Sequence, residues 1–362
     1  MVGHLSYELG RYTEPVRLEG LDPTGLPLAI LARYDEFDAW HPRFGMRKNI
    51  RFRDTVATAS GLSLDSLSSP QVSDLDDPYD RHRPGDSAGP EYRHGFERIV
   101  DAIRAGEIYQ ANLSRRISVP WPVEAVTAYR QLRARQPVPQ GAFLGLHHWE
   151  ILSNSPETFL VVNGDSVATI PIKGTRPRGT TADEDRRARM ALQSDPKELA
   201  EHIMIVDLER NDLGRVCQTG SVAVERQAFV QSFRTLHHLV SEVRGRLRED
   251  CGLADLLRAT FPGGSITGAP KIRAMQIIDE VETGGRGVYT GAIGSFNGPR
   301  SVNLNIAIRT AVAAAGRLTY CTGGGIVADS GLQDEWDETV TKARAFLEVT
   351  GLRTLANQER AS

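Results

Sequence analysis

The sequence predicts an α+β fold. Apolar strand runs are joined by tight turns, as at Asn163-Gly164, and amphipathic helices are interleaved with them, one opening at Asp195-Pro196. The 362 residues, 40% hydrophobic, are enough to bury a substantial core. By composition the chain divides into an N-terminal strand-containing segment over 1–60, a Ser/Asp/Pro/Gly-rich stretch over 61–90 expected to be a mobile loop, a main domain over 91–352 and a tail over 353–362.

The formal net charge is -3 and the isoelectric point about 6.3, which argues against a nucleic-acid or acidic-membrane surface. Cys217, Cys251 and Cys321 are widely spaced and odd in number, so they suggest neither a disulfide framework nor a metal knuckle. No apolar run is long enough to span a bilayer, and the N-terminus lacks a basic-then-apolar signal pattern. These features predict a cytoplasmic protein of enzyme size.

In chain order, Leu28 to Tyr34 reads as a strand. A helix should carry Phe96, Ile99, Val100 and Ile103 on one face and stop at Gly106. Glu107 to Arg115 reads as a strand with Gln110, Asn112 and Ser114 on one side, either an exposed edge or the polar wall of a pocket. A helix near 122–136 and a strand near 142–153 follow. The turn at Asn163-Gly164 then leads into a strand ending at Lys173, closed by Gly174 and Pro177. Asp195 caps the next helix, with Glu198 and Glu201 on one face and Leu199, Ile203 and Val206 on the other. Pro270 opens a helix carrying Ile272, Met275 and Ile278. The last helix bears Glu335 and Glu338, with Trp336, Val340 and Leu347 on its apolar side and Gly351 as its stop.

Chemistry gathers at a few of these places. Lys173 ends an otherwise uncharged apolar run, where desolvation would populate its neutral, nucleophilic amine. Glu157 stands near it across the hairpin, as an acid beside an amine. Each glutamate pair has three-residue spacing, and two facing pairs would make an oxygen-rich site suited to Mg²⁺. The glycine loop 261–271 and the run Gly323-Gly324-Gly325 offer backbone N–H groups to an anion, although the lysine at 271 does not fit a phosphate-loop pattern. Arg309 could clasp a carboxylate, and Lys342 lies one turn after Glu338. Each feature taken singly also reads as ordinary surface chemistry: a solvated lysine, an ion pair, two wet helix faces.

Together, Gly106 to Leu113, Ser155-Pro156-Glu157, Glu201 to Asp212, the 261–271 loop, Gly323 to Ser330 and a Ser6-Tyr7-Glu8-Leu9-Gly10-Arg11 piece resemble the chorismate-utilising enzymes. The resemblance is dense over about 92–350 and greatest to the component I branch of aminodeoxychorismate synthase. It implies large antiparallel sheets flanked by helices, with 91–352 as the chorismate-binding catalytic domain. It implies Mg²⁺ on Glu201 and Glu338, with Glu198 and Glu335 holding metal waters. Tyr289, Arg309 and Gly323, Gly324 and Gly325 would hold the enolpyruvyl carboxylate, and Lys342 would add positive charge. Thr267 would contact the ring carboxylate, His238 would line the pocket and Glu157 would protonate the departing C4 hydroxyl.

Gln110 stands where water-adding members carry a lysine base, and Lys173 where anthranilate synthases typically have alanine. The implied product is therefore 4-amino-4-deoxychorismate, on the p-aminobenzoate and folate branch, with Lys173 as nucleophile. Ammonia would come from a separate glutamine amidotransferase subunit, because the chain carries no glutaminase signature. Relatives carry several dozen more residues ahead of Ser6, in a region that helps form a tryptophan site, so tryptophan inhibition is not expected. The rival expectations are an anthranilate synthase component I and, more remotely, a non-catalytic anion- or nucleotide-binding protein.

Overall fold

Tight turns join most consecutive strands, and among the described residues every strand pairing is antiparallel. The structure is a computed structural model and describes residues 1–33, 36–41, 46–51, 85–121, 123–234 and 236–349. Most of the 61–90 stretch, Gly351 and the 353–362 tail lie outside the described residues. The chain begins with β1 (Val2–Leu5), a 3-10 turn over Tyr7–Tyr12, β2 (Ala29–Ala32) and the hairpin of β3 (Glu36–His41) and β4 (Met46–Arg51). Next come α1 (Pro90–Arg104), β5 (Gln110–Pro120), α2 (Ala125–Arg135), β6 (Ala142–Leu146), β7 (Trp149–Ser153), β8 (Thr158–Asn163), β9 (Ser166–Ile170) and β10 (Ile172–Pro177). Then follow α3 (Ala182–Gln193), α4 (Pro196–Gly214), β11 (Ala223–Ser232), β12 (Leu236–Arg246), α5 (Leu253–Thr260), β13 (Gly268–Ala269) and α6 (Lys271–Val281). The described chain closes with β14 (Ala292–Gly298), β15 (Ser301–Ile306), β16 (Thr310–Ala314), β17 (Arg317–Ile326) and α7 (Leu332–Val349).

Among the described residues, a nine-stranded sheet runs β10-β12-β9-β8-β15-β14-β1-β2, with β11 on the other edge of β12. A six-stranded sheet runs β13-β5-β17-β16-β7-β6. Ile30 and Ile293 of the first sheet share a core cluster with Ile151 and Val312 of the second, so the sheets pack face to face there. Other clusters bury α4 and α5 on the large sheet, and α1, α6 and α7 on β5 and β17. This is the expected α+β fold with large antiparallel sheets and flanking helices. No helix among the described residues is long and apolar enough to cross a membrane.

Several local expectations need correction. The strand near 142–153 is a hairpin, β6 and β7, turning at His147 with φ +40°. Lys173 does not end the strand begun at Val167. That run divides at Pro171, which has no N–H to donate, into β9 and β10, both on one edge of β12. The 107–115 strand is no exposed edge: β5 lies between β13 and β17, and both Gln110 and Asn112 are buried. Gly323–Gly325 form no nest after a strand but continue β17, opposite Ser114, Leu113 and Asn112.

Helix α3 was not anticipated, although Thr181 and Glu184 form a capping box that the spacing Thr-x-x-Glu could have signalled. Asp195 does cap α4, accepting from the Lys197 and Glu198 N–H groups. Ile203, however, is 41% exposed, and the buried stripe is His202, Ile205, Val206, Glu209, Asp212 and Leu213. Glu198 and Glu201 therefore head the inward face of α4 instead of lying opposite it. Ile272 is likewise exposed, whereas Met275 and Ile278 are buried.

The start of α6 is no open anion site. Lys271 is buried, with Nζ 2.5 Å from Asp212 Oδ2 and 3.2 Å from the Thr260 carbonyl, and it ties α6 to α4. Removing one partner of a buried pair strands the other charge. Lys271→Met is therefore expected to lower the unfolding free energy by about 3 kcal/mol. An unchanged urea midpoint would show that the pair contributes nothing.

Candidate active site

The site grows from an irregularity in β10. Gly174 has φ +65°, and the pairing with β12 slips between Lys173, opposite Leu239, and Thr175, opposite His238. Such a bulge re-aims a side chain. Lys173 is half-buried, and burial pushes its amine below the ordinary lysine range, against the pull of Glu157 and Glu201.

Beneath it passes β17. The strand β16 pairs with β17 only as far as Tyr320, so from Cys321 onward β17 keeps β5 on one edge and leaves the other without a strand partner. The glycines there permit close approach. A β-carbon at Gly325 would lie 2.8 Å from Gln110 Nε2 and 3.5 Å from Lys173 Nζ; one at Gly324 would lie 2.9 Å from Glu335 Oε2 and 3.7 Å from Glu338 Oε2. Gln110 itself is fully buried, and neither amide atom has a hydrogen-bond partner. A buried amide with nothing to bond is unfavourable unless a ligand meets it.

Glu157 is 4% exposed. Its backbone is fixed by Ser155, whose Oγ accepts the Glu157 N–H at 3.2 Å and donates to the Ile306 carbonyl at 2.6 Å. Burial pushes the carboxyl up to about 6, against the Ser265 hydroxyl, which donates to Oε1 at 2.7 Å, and the positive charges of Lys173 and Arg309. A carboxylic acid and an amine, each with its charged form disfavoured by burial, thus stand together.

On one side a cleft is lined by Pro156, Phe233, Leu236, His238 and Arg309. His238 Nδ1 lies 2.9 Å from Thr175 Oγ1, and burial followed by Arg309 pushes the ring down to about 4, leaving it neutral near pH 7. Arg309 occupies a left-handed backbone position, φ +50°. Tyr289 is buried and its phenol is held protonated by burial. Thr267 is also buried, and its hydroxyl donates to the Gly263 carbonyl at 2.9 Å.

On the other side the two glutamate pairs face each other across α4 and α7. Glu198, Glu201 and Glu335 are each pushed above the usual carboxyl range by burial first and then by neighbouring carboxylates, among them Glu338 for all three. Glu338 is the exception: although burial opposes it, Lys342 at 2.8 Å holds it below that range. Lys342 also donates to the Gly323 carbonyl at 2.7 Å. Ser330 donates to Glu335 at 2.6 Å, and Lys197 reaches Asp329 at 3.2 Å across the two helix starts.

Among the described residues no group of three or more His, Cys, Asp or Glu side chains is placed to hold a metal ion. Four mutually repelling carboxylates on two helices nevertheless fit Mg²⁺, which keeps several waters and needs only one or two carboxylates directly. Ser265 was missed from sequence because its loop read as a backbone nest. The Gly264 N–H of that loop in fact donates to Glu209 at 3.0 Å.

A family model described as "chorismate binding enzyme" matches residues 1–348. The chain is 39% identical to anthranilate synthase component 1 1 of Haloarcula marismortui over 368 residues, 96% of this chain and 74% of that protein. It is 35% identical over 354 residues to aminodeoxychorismate synthase component 1 of Bacillus subtilis, 95% of this chain and 75% of that one. The solved structure of anthranilate synthase component I from Streptococcus pneumoniae TIGR4 superposes with a TM-score of 0.80 at 33% identity, covering 95% of this chain and 79% of that one.

Depressed basicity makes one lysine reactive early. With its folded pKa lowered, the Lys173 amine loses its proton at a lower pH than a solvated lysine does. Brief cyanate treatment near pH 8, read by peptide mass mapping, should carbamylate Lys173 ahead of the half-exposed Lys197. The reverse order would show that Lys173 is an ordinary ammonium.

Proposed function

The chain belongs to the chorismate binding enzyme family, and on that premise we propose that it converts chorismate and ammonia to 4-amino-4-deoxychorismate. The reading rests on Lys173, an amine of lowered basicity beside the buried Glu157 carboxyl and the unpartnered amide of Gln110. The similarity to a relative named aminodeoxychorismate synthase component 1 supports it.

In this proposal Arg309, Tyr289 and the β17 glycines receive the enolpyruvyl carboxylate, and Lys342 adds charge. Glu201 and Glu338 would hold Mg²⁺, with Glu198 and Glu335 retaining its waters, and the ion would supply positive charge for the ring carboxylate. The neutral Lys173 amine bonds to C2, both double bonds of the ring diene shift, and the C4 hydroxyl leaves as water with the proton of Glu157. Ammonia then bonds to C4, both double bonds shift back and Lys173 departs from C2 as the neutral amine. The new C4 ammonium returns one proton to Glu157. Ammonia itself is supplied by a glutamine amidotransferase subunit.

The second reading is synthesis of anthranilate, favoured by the relatives that bear that name. In it Lys173 forms no bond and the nitrogen arrives at C2. Product identification after incubation with chorismate, Mg²⁺ and ammonia separates the two: a fluorescent anthranilate product overturns amination at C4.

Lys173→Ala is expected to lower kcat about a hundredfold, about 2.7 kcal/mol of barrier, with little change in chorismate affinity. Wild-type turnover would remove the nucleophile. For the metal, calorimetric titration of Glu201→Gln should show Mg²⁺ affinity reduced at least about tenfold. Unchanged affinity would place the ion elsewhere.

A further inference from the structure

Glu209 is among the buried acids that the mechanism leaves unused. Glu209 is 3% exposed and lies two turns along α4 from Glu201. We propose that Glu209 is a positioning residue for Glu157, acting through the backbone of Gly264 and the side chain of Ser265. The inference rests on the reading of Glu157 as the acid that releases the C4 hydroxyl.

The connection is short and continuous. Glu209 Oε1 accepts the Gly264 N–H at 3.0 Å, Oε2 accepts the Thr169 hydroxyl at 3.4 Å, and the next residue, Ser265, donates to Glu157 Oε1 at 2.7 Å. The loop sits directly on α4, since a β-carbon at Gly264 would meet Leu208 Cδ2 at 2.6 Å. Its far end is held separately, by Asn112 Nδ2 and Arg286 Nη1, both donating to the Ile266 carbonyl. Glu209 thus anchors the end of the loop that carries the Ser265 hydroxyl.

A buried carboxyl is an unfavourable choice for an anchor. Burial, then Asp212 on its own helix, push Glu209 up to about 7; Lys271 of α6 and the Gly264 N–H pull it down, and Glu157 adds repulsion. An apolar side chain of similar size would avoid that penalty but would leave the Gly264 N–H without an acceptor. What the carboxyl adds is the direction of one loop. Displacing a group in contact with the reacting centre by even about 1 Å can slow chemistry about a hundredfold.

The test is a double-mutant cycle on the full chain, with chorismate, Mg²⁺ and ammonia and with thermal unfolding measured alongside. Glu209→Met should lower kcat about tenfold to a hundredfold with KM within about twofold. Glu209→Gln keeps an acceptor oxygen and should recover kcat to within about threefold. In a Ser265→Ala background, Glu209→Met should add less than about twofold, because the relay is already broken. Multiplying effects in the double variant, a Gln variant as impaired as Met, or unchanged kcat in Glu209→Met would each overturn the proposal. If Glu209→Met does not fold, Glu209→Ala serves in the same cycle, since water can enter the smaller side chain's place. Glu157→Gln run in parallel separates the two levels. Wild-type turnover there removes the acid assignment itself, whereas loss there with an unaffected Glu209→Met removes only the positioning role.

Discussion

The site depends on holding like charges close together on two helices. Glu198 and Glu201 on α4 face Glu335 and Glu338 on α7, and three of the four are forced toward their neutral forms. Left to themselves, helices so charged would separate. They are kept in place by a capped helix start at Asp195, by the His202–Ser241 contact at 2.6 Å that pins α4 to β12, and by Trp336 and Val340 buried beneath α7. The lysines Lys173, Lys197 and Lys342 moderate the repulsion. The scaffold therefore holds four carboxylates and three lysines in one neighbourhood built from α4, α7 and β10.

The two sheets divide the remaining work. The large sheet carries the bulge that aims Lys173, and its neighbouring strands fix Glu157 through Ser155 and His238 through Thr175. The smaller sheet contributes the strand edge at Cys321–Ile326, where β16 has ended and only glycines let the backbone pass under Gln110, Lys173 and the carboxylates. Acid and amine are thus supplied from one sheet and the floor from the other, so their separation is set by sheet packing and not by any single loop.

Membership of the chorismate binding enzymes brings relatives named for two different products, and overall similarity does not divide them. Under the proposed function that division falls on Lys173. At 173 burial lowers the basicity of the amine, against the pull of Glu157 and Glu201.

Much of this was legible in the sequence. The α+β class followed from alternating turn signals and helical periodicities, the α4 start from Asp195-Pro196, and the site residues from long motifs whose resemblance to a family is specific. Those features are local or inherited, so a linear reading can reach them. What it could not reach were the non-local placements: the division of β9 from β10 at Pro171, the continuation of Gly323–Gly325 as strand, Lys271 buried on Asp212 and the Ser265 hydroxyl on Glu157. Each depends on a partner far away in the chain. Whether a charged side chain is solvated or desolvated is a property of everything packed around it, and only the tertiary structure decides that.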